Sequence, residues 1–273
     1  MRQDSFNLTI GPLTVTLVSE PRLLSPLYQR YRPFATDVPS QLIIQLSLDS
    51  NERTLTPADT SASYCFTTHR FTSAHSTGQI DIAGGQAQLT LFAATAIADI
   101  DYALRAVYAL LAFEQGCLLF HAAGVVKANR AYLFLGPSGT GKTTAARHSP
   151  DTLVLNDDLV LLSPDTDGWL AHATPFTNPS QIGSHGRHSA PIALICRLQP
   201  AQTVDLVRQT PATALANILA SVILIPAHLE ASPRLFQIAR SLVQTVPLGR
   251  LSLRPDPSFW PVIQTFMQEQ ETP

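Results

Sequence analysis

The chain has 273 residues, of which 45% are hydrophobic and 14% charged, against a usual charged share of about 25%. With 18 Lys+Arg against 20 Asp+Glu, the net charge is −2. This composition excludes disorder as the main state and argues against nucleic-acid binding through a bulk positive field. The length allows one large domain or two ordinary ones, each with a real core.

The N-terminus, Met1-Arg2-Gln3-Asp4-Ser5, leads into an alternating stretch, unlike the apolar run of a signal peptide. The most apolar windows, Tyr102–Phe113 and Ala214–Pro226, are interrupted by Arg105 and Asn217. Both fall short of the roughly 20 residues that span a bilayer. Cys65, Cys117 and Cys196 lie far apart, without metal-like spacing, and read as reduced core thiols. A soluble cytoplasmic protein with no membrane contact is expected.

Residues 1–94 are expected to form a β-rich domain. Leu13, Val15 and Leu17 alternate with Thr14 and Thr16, and Leu42, Ile44, Leu46 and Leu48 alternate with Ile43, Gln45 and Ser47. Leu89 and Leu91 repeat the two-residue period of half-buried strands. Polar, turn-prone stretches at 50–63 and Ala83-Gly84-Gly85 separate them. No chemistry is legible here, and the region reads as a scaffold or docking module.

Over residues 95–115 the period changes. Ile97, Ile100, Leu104, Val107 and Leu111 form one helical stripe, with Asp101 and Arg105 paired on the polar face. This helix is expected to connect the first domain to a second, residues 116–273. There, strand-like runs (Leu118–Phe120, Ala131–Leu135, Leu153–Leu155, Ile192–Cys196) alternate with helical ones. Thr210-Pro211 reads as a helix start, with Leu215, Ile218, Leu219, Val222 and Ile223 on one face. A further helix carries Leu235, Ile238, Leu242 and Val246 and stops at Pro247. Alternation of this kind predicts an α/β second half.

The chemistry concentrates in three places. Gly136-Pro137-Ser138-Gly139-Thr140-Gly141-Lys142-Thr143 fits the phosphate-binding pattern G-x-x-x-x-G-K-[ST] without a mismatch. The apolar run Ala131–Leu135 leads in, and Thr143-Thr144-Ala145-Ala146-Arg147 leads out as a helix start. Glycines let the backbone turn tightly enough to aim N–H groups at phosphates, helped by the positive end of the helix. Lys142 can reach the β- and γ-phosphates, and the Thr143 hydroxyl can ligate Mg²⁺. A nucleoside triphosphate with Mg²⁺ is the expected ligand.

The second place is Leu153-Val154-Leu155-Asn156-Asp157-Asp158, an apolar strand ending in adjacent carboxylates. Two in a row permit one to hold a metal while the other accepts a proton from an attacking hydroxyl. They also fit a plain turn, since Leu159–Leu162 resumes the apolar run. The third is His121, after Leu118-Leu119-Phe120; alone, a histidine there reads as a structural hydrogen-bonding residue.

Taken in order, Phe120-His121-Ala122-Ala123-Gly124-Val125-Val126, Gly136–Thr144 and Leu153–Asp158 resemble the HPr serine kinase/phosphorylase family. They are more closely similar to its shorter relatives, which include kinases acting on lasso-type precursor peptides. The resemblance covers about Leu118 to Ile225 and rests on the three motifs together. It implies a P-loop kinase domain of the HPr kinase/phosphoenolpyruvate carboxykinase kind. It also implies ATP-dependent transfer to a serine-type hydroxyl of a peptide or protein, with a small-molecule hydroxyl as the alternative acceptor. A nucleotide-binding adaptor without transfer is the non-enzymatic alternative.

Carried over by position, the phosphate contacts fall on Gly136, Pro137, Ser138, Gly139, Thr140, Gly141, Lys142, Thr143 and Thr144. Thr143 and Asp158 would hold Mg²⁺, Asp157 would be the base, and His121 would sit beside the γ-phosphate. HPr kinases carry a glycine-rich signature with acidic and arginine residues further on. This chain has Pro175-Phe176-Thr177-Asn178-Pro179 and Gly183-Ser184-His185-Gly186-Arg187-His188 instead. Arg187 is the candidate there for neutralising transition-state charge. HPr kinases form hexamers, so the resemblance also implies a homo-oligomer.

Overall fold

The computed structural model describes residues 4–49, 65–67, 70–72, 76–92, 97–176, 182, 186–223 and 231–271. The polar stretch 50–63, Thr177-Asn178-Pro179 and Gly183-Ser184-His185, singled out above, lie outside the described residues. The described chain divides into two compact units, one ending at Glu114 and the other made of 115–223 and 231–271.

In the first unit, Leu13, Val15 and Leu17 are buried as anticipated, but Thr14 is buried too, so the expected alternation is incomplete there. They lie in β2 (Leu13–Val18), which forms an antiparallel hairpin with β1 (Ser5–Ile10). Then come α1 (Pro21–Tyr31), a short 3₁₀ turn, β3 (Ala35–Thr36) and β4 (Leu42–Leu48). Along β4, Leu42, Ile44 and Leu46 are buried while Ile43 is 42% exposed, the half-buried pattern its period predicts. The unit continues through β5 (Cys65–Thr67), β6 (Arg70–Thr72), β7 (Ser76–Asp81) and β8 (Gln86–Leu91) to α2 (Ile97–Glu114). The strands form one eight-stranded sheet in the order β3-β1-β2-β4-β8-β7-β6-β5, with β2, β4 and β8 at its centre parallel to one another and every other pair antiparallel.

Two details differ from the sequence reading. Helix α1 was not anticipated; Pro21 opens it, and Leu23, Leu24, Leu27 and Tyr31 bury one side. The Asp101–Arg105 pair is not a solvated surface pair. Asp101 is buried and accepts hydrogen bonds from Arg30 Nη2 (3.0 Å), Tyr31 Oη (2.9 Å) and Arg105 Nη2 (2.9 Å). Helix α2 itself belongs to the first unit, where Tyr108 donates from its hydroxyl to the Leu8 carbonyl of β1.

The second unit begins with the long strand β9 (Leu118–Lys127), followed by β10 (Arg130–Leu135), α3 (Lys142–Arg147), β11 (Leu153–Asn156), β12 (Leu159–Asp165) and β13 (Gly168–His172). It continues with β14 (Ser189–Pro200), β15 (Asp205–Arg208), α4 (Pro211–Leu219), α5 (Ala231–Thr245), β16 (Leu248–Leu253) and α6 (Phe259–Glu271). The sheet runs β10-β9-β12-β13-β14-β16-β15, with β11 also on β9 and β10 also on β14. Strands β10, β14 and β16 are mutually parallel; the pairs made by β9 are antiparallel.

The expected alternation of strands and helices is therefore only partial. From Leu118 to His172 the described residues contain a single six-residue helix, α3. Mixed α/β describes the molecule, with both units rich in strand. Thr210 does start a helix, its hydroxyl accepting from the Thr213 N–H at 3.3 Å. That helix ends at Leu219, short of Val222 and Ile223. Those residues join the sheet instead: Val222 bridges Phe120, and the Ile223 N–H donates to the Leu119 carbonyl.

One core cluster of this unit packs Phe134, Leu194, Cys196, Leu251, Phe259, Trp260 and Ile263 over one face of the sheet. Cys117 and Cys196 are free and buried, and burial pushes the Cys117 thiol up to about 11, as suits inert core thiols. The side chain of Cys65 lies outside the described residues. Among the described residues no helix is long and apolar enough to cross a membrane.

Candidate functional site

Strand β10 ends at Leu135, and the Gly136–Gly141 loop carries the chain from there into α3. Gly139 and Gly141 have φ of 81° and 101°, backbone angles that cost an L side chain energy and explain the glycines there. A Cβ on Gly136 would collide with the Thr140 side chain. The Thr140 hydroxyl donates to the Pro137 carbonyl at 2.8 Å, closing the turn. Lys142 is buried, and its ammonium donates to the carbonyls of Gly136 (2.8 Å) and Pro137 (3.3 Å). Burial lowers its pKa; the charge of Asp158 opposes that, Arg197 adds to it, and Asp157 opposes it more weakly.

The acids reach the loop through β9. Its Val125 and Val126 pair with β11, while His121 to Leu118 pair with Leu159 to Leu162 of β12. Between those stretches the chain turns on Asn156, which is fully buried. Asn156 donates through Nδ2 to the carbonyls of Thr174 and Phe176, both at 3.1 Å. Its Oδ1 accepts from the N–H groups of Asp158 (2.8 Å) and Leu159 (2.9 Å). Every polar atom of its amide is used, so the turn holding Asp157 and Asp158 is rigid.

The two aspartates lie in different surroundings. His121 faces Leu159 in the register, which brings its Nε2 to 3.0 Å from Asp158 Oδ1; the histidine is 37% exposed and the aspartate 17%. Asp157 is 1% exposed, and neither carboxylate oxygen has a hydrogen-bond partner among the described residues. Burial raises its pKa above the ordinary range; the nearby Thr143 hydroxyl and Ile182 backbone pull it down, and Asp158 pushes it further up. An orphaned, buried carboxylate beside Thr143 is unfavourable unless a proton or a cation meets it.

The site thus joins Lys142, Thr143, Asp157, Asp158 and His121 within one unit. Ser221, whose hydroxyl donates to the Asn217 carbonyl, adds a wall through its own carbonyl, which accepts from the His121 N–H at 2.7 Å. Arg187 is exposed, next to undescribed residues. These groups can hold a phosphate chain against Lys142, a divalent cation between Thr143 and Asp157, and a hydroxyl against Asp158. No group of three His, Cys, Asp or Glu forms a metal cluster among the described residues. Mg²⁺ shared with phosphates does not need one, since it keeps several waters and takes one or two carboxylates.

A family profile described as SynChlorMet cassette protein ScmC matches residues 92–268. The chain belongs to the ScmC family. Among curated proteins none matches it. The ScmC match takes in every residue of the candidate site.

Two residues of this ScmC-family site escaped the sequence reading. Asn156 looked like part of a strand; only its buried amide identifies it as the clamp of the turn. Arg197 lies on β14, one residue beyond the expected run Ile192–Cys196 and given no role in the sequence, yet its charge adds to the lowering of the Lys142 pKa. A three-residue signal, Asn-Asp-Asp after an apolar strand, could have pointed to the first. Nothing local could have pointed to the second.

Proposed function

We propose that the second unit is an ATP-dependent phosphotransferase of the HPr kinase-like P-loop kind, acting on a serine-type hydroxyl of a peptide or protein. The observation that carries this reading is the convergence of Lys142 and Thr143 of the glycine loop with Asp157 and the Asp158–His121 pair. A parallel strand ending in a glycine loop and helix, with carboxylates beside it, is the arrangement phosphoryl transfer uses.

The geometry favours a division of the acids opposite to the one the resemblance implies. Asp157 lies beside Thr143, buried, with only the Thr143 hydroxyl and the Ile182 backbone close by and neither in good hydrogen-bond geometry among the described residues, which suits a metal ligand. Asp158 is part-exposed and paired with His121, which suits the base. Thr143 and Asp157 would hold Mg²⁺, which when bound neutralises charge on the phosphates. Lys142 and the loop N–H groups orient the β- and γ-phosphates. The acceptor oxygen attacks the γ-phosphorus, the bond from that phosphorus to the bridging oxygen breaks, and ADP leaves. The hydroxyl proton passes to Asp158, whose paired His121 holds the carboxylate in place.

Arg187 is exposed, and the reading assigns it no step. The test is transfer from γ-labelled ATP in a native extract, with the labelled species identified by mass spectrometry. Protein or peptide label with wild type, lost in Lys142→Ala and Asp158→Asn, supports the reading. Turnover stimulated only by free serine or a similar alcohol moves the acceptor to a small molecule. Binding of ATP without transfer to any acceptor overturns the reading in favour of an adaptor.

A further inference from the structure

The parallel sheet of the second unit places two arginines side by side at the level where the glycine loop begins. Leu135, the last residue of β10, is in register with Arg197 of β14, and Arg197 is in register with Arg250 of β16. On β14, Cys196 and Leu198 belong to the buried cluster on one face of the sheet. On β16, Leu251 and Leu253 belong to the same cluster. Successive strand residues alternate sides, so Arg197 and Arg250 share the opposite face.

Arg197 is half-buried and Arg250 exposed. Among the described residues neither guanidinium has a hydrogen bond or an ion pair. Asp205 of the neighbouring β15, which pairs with Ser252 of β16, forms none with them among the described residues. Like charges opposite each other on neighbouring strands are destabilising. A pair of this kind with no carboxylate hydrogen-bonded or ion-paired to it among the described residues, one residue across from a phosphate-type loop, is the composition of an anion site. The planar fork of arginine matches phosphate oxygens two at a time.

We infer that Arg197 binds the terminal phosphate of the nucleoside triphosphate held by the Gly136–Thr143 loop, with Arg250 reinforcing the field from the next strand. This rests on the phosphotransferase reading and deepens it, because it assigns the preference for a triphosphate over a diphosphate to a residue outside the loop. That Lys142 feels the Arg197 charge agrees with both cations facing one ligand.

The test is isothermal titration of the full chain with Mg-ATP and, separately, Mg-ADP, for wild type, Lys142→Ala, Arg197→Gln and Arg197→Lys, with thermal melting as the folding control. Arg197→Gln is expected to weaken Mg-ATP binding about tenfold or more while leaving Mg-ADP unchanged, the size of one charge-assisted contact. Arg197→Lys is expected to recover part of that loss. If wild type binds no Mg-ATP, the loop reading itself fails and this inference goes with it. If wild type binds, Lys142→Ala weakens binding and Arg197→Gln matches wild type, only the inference fails. Equal loss of Mg-ATP and Mg-ADP in Arg197→Gln also overturns it, since the contact is then not to the terminal phosphate. Should Arg197→Gln not fold, Arg197→Lys is read in its place: an undiminished preference for ATP over ADP overturns the inference.

Discussion

Two buried aspartates, one in each unit, show how differently the same side chain is used. Asp101 of α2 is met by Arg30, Tyr31 and Arg105. Asp157, more deeply buried, has only the Thr143 hydroxyl and the Ile182 backbone near it, neither in good hydrogen-bond geometry among the described residues. The surroundings of Asp101 satisfy its charge from three directions and make it part of the scaffold. Asp157 is held by the Asn156 turn in a place that disfavours its charge, beside a hydroxyl and near a lysine. A folded chain retains such a group when its partner comes from outside.

The largest expected effects lie in the candidate site of the second unit. Asp158→Asn should lower phosphotransfer about 10²- to 10⁴-fold, the range for loss of a positioned base, while Mg-ATP still raises the melting temperature. Lys142→Ala should remove both the transfer and that stabilisation. Comparable transfer by Asp158→Asn and wild type would end the assignment of the base.

The direct contrast is between Asp101→Asn and Asp157→Asn in urea unfolding of the unliganded protein. Asp101→Asn leaves Arg30 and Arg105 without their counter-charge and should cost about 3 kcal/mol. Asp157→Asn should be neutral or stabilising by about 1 kcal/mol, since it removes an unsatisfied charge. The folded-state pKa of Asp157 is raised, so the folded state holds that proton more tightly than the unfolded chain. Stability from this group falls as pH rises from 3.8 through the raised value. The advantage of Asp157→Asn over wild type should therefore grow across that interval, and a constant difference would contradict the burial cause.

A second satisfied group offers a check of similar size. His172 Nε2 lies 2.8 Å from the Ser163 hydroxyl, and burial lowers its pKa to about 4. A depressed histidine pKa means that the unfolded state takes up the proton first. Stability should fall as pH drops from 6.5 toward 4, by roughly 3 kcal/mol in all. In His172→Gln that component should vanish from the difference between unfolding at the two ends of the range. The smallest effect is local: Thr210→Ala removes the cap of α4 and should cost about 1 kcal/mol, with no change in nucleotide binding.

Much of the scaffold was legible because its signals are short-range. The alternation over Leu42–Leu48 set which face of β4 is buried, and Thr210-Pro211 marked the start of α4. The end of α4 was not legible. Val222 and Ile223 continue a helical stripe, and their pairing with β9, distant in the chain, overrides it. The buried network around Asp101 was missed for the same reason, since Arg30 and Tyr31 are far from it in the chain.

By itself the sequence determined where the Gly136–Thr143 loop lies and which acids neighbour it in the chain, because glycine spacing and adjacent carboxylates are local chemistry. The tertiary structure alone decided which acid stands beside Thr143 and which beside His121. It also decided that Asn156 clamps the turn and that Arg197 stands across from Leu135. Those relations depend on strand register, and register is a property of pairing between segments far apart in the chain.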